Sequence, residues 1–341
     1  MKYQFFPKNI VNNKQENSDQ MKAIYQLQQH LSINQIENCY SIDFSKDCNT
    51  IAVGELQIIK VYWFTLEKIK LINTLLGHRN EISMLRFMLK SNNLVSTSLD
   101  GSISIWSQCL LAKPLKSYKL LNHQKGIICY TINSDESLFI TGSYDSTMNV
   151  WIKKYNQWIC KQKLTDHTSA VYGISMNENQ NTVISCGYDN KILIYATHFF
   201  EDSQLLTKIQ TINVDNYGFR LCFINNNKFV FQPQNDENLI IYELNDNDGK
   251  FIKTKELGMN NGIYCHEYFP QQYIREKQLL INKNGYHVNI IQNNLNQELV
   301  FVQSINFNHY FVFGTLSYNG EYLATWDWKT RKIQIRKYQE N

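Results

Sequence analysis

Histidine and aspartate recur in this chain at a spacing that could place a general base beside a carboxylate. In three segments an aspartate follows a histidine by 22 residues, and the pairs are His78 and Asp100, His123 and Asp145, and His167 and Asp189. A hydrogen-bonded His–Asp pair is the part of a catalytic triad that activates a nucleophile. An active site does not recur every 44 or 45 residues in one chain, however, so the repetition favours a structural role for these side chains.

The rest of the sequence contains little else that could carry catalysis. It has no Walker A motif, no Rossmann glycine fingerprint and no H-E-x-x-H zinc motif. Cys265, His266 and Glu267 form the one compact run of potential metal ligands, but adjacent residues of a strand point to opposite faces. We therefore expect no catalytic residue, no metal site and no cofactor, and we expect that the protein is not an enzyme.

Composition bounds the class of protein further. The net charge of +4 is too small to indicate a nucleic-acid binder, and no run of 18 apolar residues predicts a membrane-spanning helix. The first 20 residues contain no continuous apolar segment, so we expect no secretory signal. The eight cysteines include no C-x-x-C pair, which favours free thiols in a reducing compartment. The expected location is the cytoplasm, with a ciliary or nuclear location left open.

Short strands are the elements that must position the repeated pairs. In the second unit the β-rich runs ICYTI, LFITGS and TMNVW are separated by the turn sequences NSDES and YDS, and the third unit repeats this as VYGISM, TVISCG and KILIY. An aromatic residue follows each aspartate by six positions, and these residues are Trp106, Trp151 and Tyr195. A period of 44 or 45 residues with four short strands per unit resembles the WD40 β-propeller.

The matching motifs are Gly77-His78 and the aspartate dipeptides that precede Ile105-Trp106, Val150-Trp151 and Ile194-Tyr195. The resemblance implies that His, Ser or Thr, Asp and Trp of each unit form a buried hydrogen-bond chain. The residues it assigns to these chains are His78, Ser96, Asp100 and Trp106, then His123, Thr141, Asp145 and Trp151, then His167, Ser185, Asp189 and Tyr195. Because Tyr195 replaces tryptophan, we expect the third chain to be altered.

Weaker copies of the unit extend the period in both directions. They predict seven units that end near residues 62, 106, 151, 195, 242, 291 and 336. The sequence thus predicts an all-β fold, a seven-bladed WD40 propeller over residues 23–341, preceded by a flexible tail over residues 1–22. We expect residues 23–29 to form an N-terminal strand that completes the last blade, since closure removes exposed sheet edges.

One end of the ring is the expected partner-binding face. In WD40 propellers the residue before the turn aspartate commonly reaches that face, and Tyr and Trp are preferred interface anchors. The candidate residues are Leu99, Tyr144, Tyr188, Asn235 and Trp326, together with Arg220 at the opening of the fifth unit.

Residues 143–167 also resemble the third blade of the WD40 adaptor of cytosolic iron–sulfur cluster assembly. That family has a similar Tyr-Asp pair and then a loop with a tryptophan and a hydrophobic-Cys pair, and Trp158, Ile159 and Cys160 occupy that loop here. The sequence leaves three roles open: a general non-catalytic scaffold or adaptor, an iron–sulfur adaptor, and a structural subunit of a cytoskeletal or ciliary assembly. In each role we expect protein partners in a multi-protein complex and neither a membrane nor a nucleic acid.

Overall fold

Antiparallel strands make up all the regular structure of the described residues. The computed structural model describes residues 23–107, 118–200, 203–262 and 264–340, and it arranges their 28 strands in seven four-stranded sheets. Strand β1 (Ala23–Asn34) comes first in the chain but belongs to the last sheet.

The other strands follow in chain order, four to a sheet, and we call the sheets blades one to seven. Blade one contains β2 (Ser41–Phe44), β3 (Thr50–Glu55), β4 (Ile58–Phe64) and β5 (Ile69–Leu76). Blade two contains β6 (Ile82–Phe87), β7 (Leu94–Ser98), β8 (Ser102–Trp106) and β9 (Tyr118–Leu121). Blade three contains β10 (Ile127–Ile132), β11 (Leu138–Ser143), β12 (Met148–Lys154) and β13 (Gln157–Leu164). Blade four contains β14 (Val171–Met176), β15 (Thr182–Gly187), β16 (Lys191–Phe200) and β17 (Ser203–Asn213).

Blades five to seven continue the same pattern. Blade five contains β18 (Gly218–Asn225), β19 (Lys228–Pro233), β20 (Asn238–Asn245) and β21 (Lys250–Gly258). Blade six contains β22 (Gln272–Ile274), β23 (Leu279–Asn284), β24 (His287–Asn293) and β25 (Leu299–Asn306). Blade seven contains β26 (Val312–Leu316), β27 (Tyr322–Asp327), β28 (Lys332–Glu340) and, at its edge, β1.

The first strand of each blade lines a central channel. These strands contact one another around the ring, for example β2 with both β6 and β26, and β14 with both β10 and β18. Each blade packs between two neighbours, so the middle strands are buried on both faces, and every residue of β7 and β8 is buried. This burial explains why the sequences of these two strands consist of consecutive apolar or small residues.

The predicted unit ends all fall in the third strand of a blade. The residues are Tyr62, Trp106, Trp151, Tyr195, Tyr242, Ile291 and Arg336. In blades one, three, four, five and six the pairing between the third and fourth strands shifts by one residue just before this position. A β-bulge that recurs at the same place re-aims the following side chain, so the blades share this geometry even where tryptophan is absent.

Pairing between β1 and β28 closes the ring, as the sequence predicts. The two strands are antiparallel, and the ladder runs beyond the predicted residues 23–29 to Asn34, with an irregularity between Leu27 and Ser32. Tyr25 is buried, and its hydroxyl donates to the carbonyl oxygen of Gly320 at 2.7 Å. The prediction of a seven-bladed propeller closed by an N-terminal strand is confirmed. The predicted tail, residues 1–22, lies outside the described residues.

Truncation tests the importance of this closure. Deleting residues 1–30 removes Tyr25 and most of the β1–β28 ladder, and we expect it to lower stability by at least about 3–5 kcal/mol, the typical cost of deleting one large buried aromatic side chain. Deleting residues 1–18 leaves β1 intact and is the control. Thermal melts of both forms against the full chain measure the effect, and equal melting temperatures for the two truncations would refute it.

Candidate interaction surface

Three of the predicted hydrogen-bond chains lie in blades two to four. In blade three the Nδ1 of His123 is 3.0 Å from an Asp145 oxygen, its Nε2 is 2.8 Å from Thr141 Oγ1, and the Trp151 indole N–H donates to the same Oγ1 at 3.0 Å. A carboxylate only accepts, so Nδ1 is the donor to Asp145. Thr141 links the other two groups by accepting from the indole and donating to Nε2.

Blade two repeats this chain with one difference. His78 Nε2 lies 2.7 Å from Ser96 Oγ, which accepts from the Trp106 indole at 2.8 Å. The Nδ1 of His78 is 3.5 Å from Asp100 and 3.0 Å from the hydroxyl of Ser102, which itself bonds to Asp100. Burial opposes ionisation of Asp100, but hydrogen bonds from His78 and Ser102 outweigh it and hold the pKa of the carboxyl well below its ordinary value.

Blade four has the altered chain that Tyr195 implies. His167 still joins Asp189 at 3.0 Å and Ser185 at 2.8 Å. The Tyr195 hydroxyl instead donates to Asp166 Oδ2 at 3.3 Å, outside the His–Ser pair. All three chains are therefore hydrogen-bonded structural supports within blades.

Blades five and six replace these chains with amide side chains. Gln232 occupies the position four residues before Asp236, where the earlier blades have Ser or Thr. Its Oε1 accepts from Asn282 Nδ2 at 2.7 Å, and Asn282 Oδ1 accepts from Gln271 Nε2 at 2.8 Å. This chain joins two blades rather than supporting one. The sequence signal for it is weak, because asparagine and glutamine occur throughout the chain.

A long loop between blades five and six covers one end of the channel. We call this end the upper face; it carries the loops between blades and the turns between second and third strands. The described residues of this loop, 259–262 and 264–271, are called the channel loop. Tyr268 from this loop is buried, and its ring contacts Tyr40 of blade one at 4.9 Å between centroids. Its hydroxyl lies 3.0 Å from that of Tyr144, on blade three, which also donates to Glu267.

The channel loop is fixed to its neighbours by tight packing and by one buried arginine. A Cβ on Gly285, whose φ is 57°, would lie 2.3 Å from the backbone nitrogen of Gly262, so the β23–β24 turn tolerates no side chain there. Arg220 Nε donates to the carbonyl oxygen of Phe269 at 2.6 Å, and its Nη2 donates to that of His266. Cys265, His266 and Glu267 therefore lie on a loop, and the expectation that they form part of a strand is wrong.

Below the channel loop the channel holds a cavity of about 390 Å³. Its lining includes Asp43, Arg86 and Tyr130 from the first strands of blades one to three. Burial raises the pKa of the Asp43 carboxyl to about 6, although Arg86 opposes the shift. Within the part of the chain that the structure describes, no group of three or more His, Cys, Asp or Glu side chains is placed to hold a metal ion.

Two aromatic clusters lie on the upper face, and one of them includes Tyr264 of the channel loop. The tyrosine patch is Tyr188, 52% exposed, with Tyr217 at 4.5 Å between ring centroids and Tyr172 and Phe219 beneath them. The aromatic ridge is Tyr264, His309, Tyr310, Trp328 and Arg331. Tyr264 and Trp328 are 63% and 40% exposed, and the Arg331 guanidinium lies 3.3 Å from the Trp328 ring centroid.

The candidate partner-binding residues differ in their exposure to solvent. Tyr188 and Asn235 are exposed on the upper face, whereas Leu99 and Tyr144 are half-buried against the channel loop and its neighbours. Arg220 and Trp326 are buried at 2% and 0% exposure, so their assignment to the partner-binding face is wrong. Trp326 lies inside β27 and donates its indole N–H to the carbonyl oxygen of Gln35, because β27 extends through Asp327 before the turn begins.

The region that suggested an iron–sulfur adaptor is strand, not loop. Trp158, Ile159 and Cys160 lie in β13, and Trp158 is buried with its ring 4.5 Å from that of Phe139. Ile159 is the exposed member of the three. The tryptophan therefore has a core-packing role that does not require a partner.

The sheets, the buried chains and the channel define a β-propeller, and comparison with known proteins identifies its repeats. The family described as "WD domain, G-beta repeat" matches residues 69–107, 113–151 and 158–195. The chain therefore contains WD40 repeats. The first and third matches run from the fourth strand of one blade to the third strand of the next, the same offset by which β1 completes blade seven.

Curated relatives share part of the chain at low identity. It is 24% identical over 212 residues to the "WD repeat-containing protein 89 homolog" of Dictyostelium discoideum, covering 61% of this chain and 55% of that protein. It is 20% identical over 216 residues to the "Ribosome biogenesis protein WDR12 homolog" of Drosophila virilis, covering 58% and 49%. It is 26% identical over 139 residues to the "F-box-like/WD repeat-containing protein TBL1X" of Mus musculus, covering 38% and 26%. The matches thus span between a quarter and just over half of these relatives.

The described part of the chain contains no helical segment with the length and hydropathy needed to span a bilayer.

Replacing Thr141 with valine tests the buried chain of blade three. Thr141→Val removes the shared oxygen between His123 and Trp151, and we expect a loss of about 2–4 kcal/mol because two buried ring nitrogens lose their partner. Urea denaturation measures the free energy of unfolding. Thr131→Val in the same blade, at a half-buried position, is the control. A change below about 0.5 kcal/mol for Thr141→Val, which is typical of a neutral surface substitution, would contradict a structural role.

Proposed function

We propose that this protein is a non-catalytic scaffold that binds other proteins through its upper face. The observation that carries the proposal is the pair of aromatic clusters on the upper face, the tyrosine patch and the aromatic ridge. Tyr188, Tyr264 and Trp328 are between 40% and 63% exposed although each lies beside further aromatic rings. Clustered, half-exposed tyrosine and tryptophan are typical of interface anchors, because they bury large areas at little cost in rotamer entropy.

The other end of the ring has its two most exposed large hydrophobic residues on separate blades. Its most exposed large hydrophobic residues are Tyr155 and Leu295, at 91% and 92%, and each lies in a turn between third and fourth strands of a different blade. Single exposed hydrophobic residues are normal on protein surfaces, whereas grouped ones favour a binding site.

Rigidity is a second reason to favour the upper face. The channel loop contacts blades one, three and five through Tyr40, Tyr144 and Arg220. Stacking between His309 and Tyr310, at 4.9 Å, orders the ridge in the same way. A surface whose side chains are already fixed loses little conformational entropy on binding, so its contacts contribute more fully to affinity.

The relatives support a scaffold without selecting one assembly. One is named for ribosome biogenesis and another as F-box-like, and identities of 20–26% over part of each chain do not transfer either role. The seven described cysteines are all free, which supports our proposal that the protein works in a reducing compartment such as the cytoplasm. The iron–sulfur adaptor and the cytoskeletal or ciliary subunit remain alternative proposals that the experiment below distinguishes.

Loss of partners from an upper-face variant tests the proposal. The tagged full chain, isolated under mild extraction, is compared with the double variant Tyr188→Ala, Trp328→Ala, and co-purifying proteins are identified by mass spectrometry. Truncating an interface anchor costs about 2 kcal/mol or more, so we expect the affinity for the main partner to fall at least about thirtyfold for each substitution at an anchor position. Tyr144 is left unchanged, because it supports the channel loop.

Tyr155→Ala is the matched control, since it removes an exposed tyrosine from the opposite end of the ring. Partners that remain bound to the double variant but are lost from Tyr155→Ala would place docking on the lower face and refute the proposal. Iron–sulfur apoproteins among the lost partners would favour the adaptor role, and sedimentation with a large particle would favour the structural subunit.

A further inference from the structure

A cysteine on the channel loop lies between two buried cations. The Sγ of Cys265 is 3.1 Å from Arg220 Nη1 and 3.3 Å from Lys283 Nζ. Arg220 comes from β18 of blade five and Lys283 from β23 of blade six, so two different blades direct a positive charge at one sulfur. Lys283 is 0% exposed and Arg220 is 2% exposed.

Neither cation has a carboxylate partner at ion-pair distance among the described residues. Glu267, the acidic group of the same loop, instead lies 3.1 Å from His266 Nδ1 and accepts from the Tyr144 hydroxyl. A buried ammonium is costly unless a negative group faces it. The sulfur of Cys265 is the group in position to supply that negative charge.

The electrostatic environment agrees with this geometry. Burial acts to raise the pKa of the Cys265 thiol, but Arg220 and Lys283 outweigh it and lower that pKa to about 7. Burial lowers the pKa of the Lys283 ammonium to about 8, with Cys265 opposing the shift. His266 and Glu267 are the other titratable groups that face this cluster. Burial, helped by the charges of Lys283 and Arg220, lowers the pKa of His266 below its ordinary value, although Glu267 opposes the shift.

Cys265 differs from the other described cysteines in this respect. Cys39, Cys129 and Cys186 are buried, and burial raises the pKa of each. Cys160 is partly exposed like Cys265, yet burial raises its pKa too, because no pair of cations faces its sulfur. Cys160 is therefore an internal control: a partly exposed thiol whose pKa is not lowered by neighbouring cations.

We propose that Cys265 is a modification site, a thiolate that reacts selectively with small peroxides. The sulfur attacks one oxygen of hydrogen peroxide, an S–O bond forms, and the O–O bond breaks. Two electrons pass from sulfur to the peroxide, and the product is a sulfenic acid. Lys283 donates a proton to the departing hydroxide, so water leaves and the buried ammonium becomes a neutral amine as the thiolate charge disappears. This proposal does not depend on the partner-binding role of the upper face.

Oxidation would also act on the channel loop. It removes the negative charge that Arg220 and Lys283 share, while Arg220 remains bonded to the carbonyl oxygens of His266 and Phe269. The loop then loses one of the contacts that fix it over the channel.

The test compares two cysteines of one folded protein. The full chain is treated at pH 7 with a small excess of hydrogen peroxide in the presence of a sulfenic-acid trap such as dimedone, and trapped Cys265 and Cys160 are quantified by mass spectrometry over time. A pKa near 7 leaves about half of a thiol ionised at pH 7, against about three per cent for an ordinary thiol, so we expect Cys265 to react at least about tenfold faster. The trapping rate of Cys265 rises with pH through a midpoint near pH 7 and stops rising by about pH 8, where Lys283 loses the proton that it donates.

Lys283→Met removes one cation and, in the folded protein, moves this midpoint upward and slows trapping at pH 7 several-fold. Lys329→Met, an exposed lysine on the same face, leaves both unchanged. If Lys283→Met fails to fold, the pH profile of the unaltered chain decides by itself. Trapping of Cys265 no faster than Cys160 at pH 7, or a rate that rises only above pH 8, overturns the proposal.

Discussion

Ring closure is the constraint on which the rest of this structure depends. A blade with apolar residues on both faces is buried only when it has a neighbour on each side, and an open row of blades would leave two faces and a sheet edge exposed. The pairing of β1 with β28 removes that edge, and Tyr25 links β1 to two blades through Gly320 and Gln303. Only a closed ring brings the upper loops of blades one, three, five and six close enough to meet over one channel.

Different residues meet the same requirement for buried polar pairing in different blades. Blades two to four use His–hydroxyl chains, and blades five and six use the amides of Gln232, Asn282 and Gln271. Blade seven uses the Trp326 indole, which donates to a carbonyl oxygen of the segment that follows β1. What the fold requires near the turn between second and third strands is buried hydrogen bonding, not one set of residues. The sequence repeat therefore fades after residue 195 while the blades continue.

The regular spacing of the repeated residues made the propeller predictable from the sequence. Which side chains reach the upper face depends on where each strand ends, and the spacing does not show this. The spacing of the anchors predicts the blades, and the third strands fall where the period places them. The position before the turn aspartate reaches the upper face only where the strand has already ended. Tyr144 and Tyr188 follow the ends of β11 and β15, whereas Trp326 is still inside β27. The longer spacing between Asp327 and Arg336 indicates a different turn in blade seven, but not that the strand extends through it.

The channel loop could not be predicted from the sequence, because it is not part of the repeated unit. Its irregular backbone explains why an arginine is buried beside it. A segment with few ladder partners leaves carbonyl groups that must be paired when they are buried. Arg220 donates to the carbonyl oxygens of His266 and Phe269, and its third contact is the sulfur of Cys265. A guanidinium suits this task, since its planar donors reach several acceptors at once. Arg220 was expected on the partner-binding face because it opens the fifth unit, but its side chain instead satisfies the loop's backbone and faces the sulfur of Cys265. The support of the upper face and the charge at Cys265 thus share one residue, Arg220.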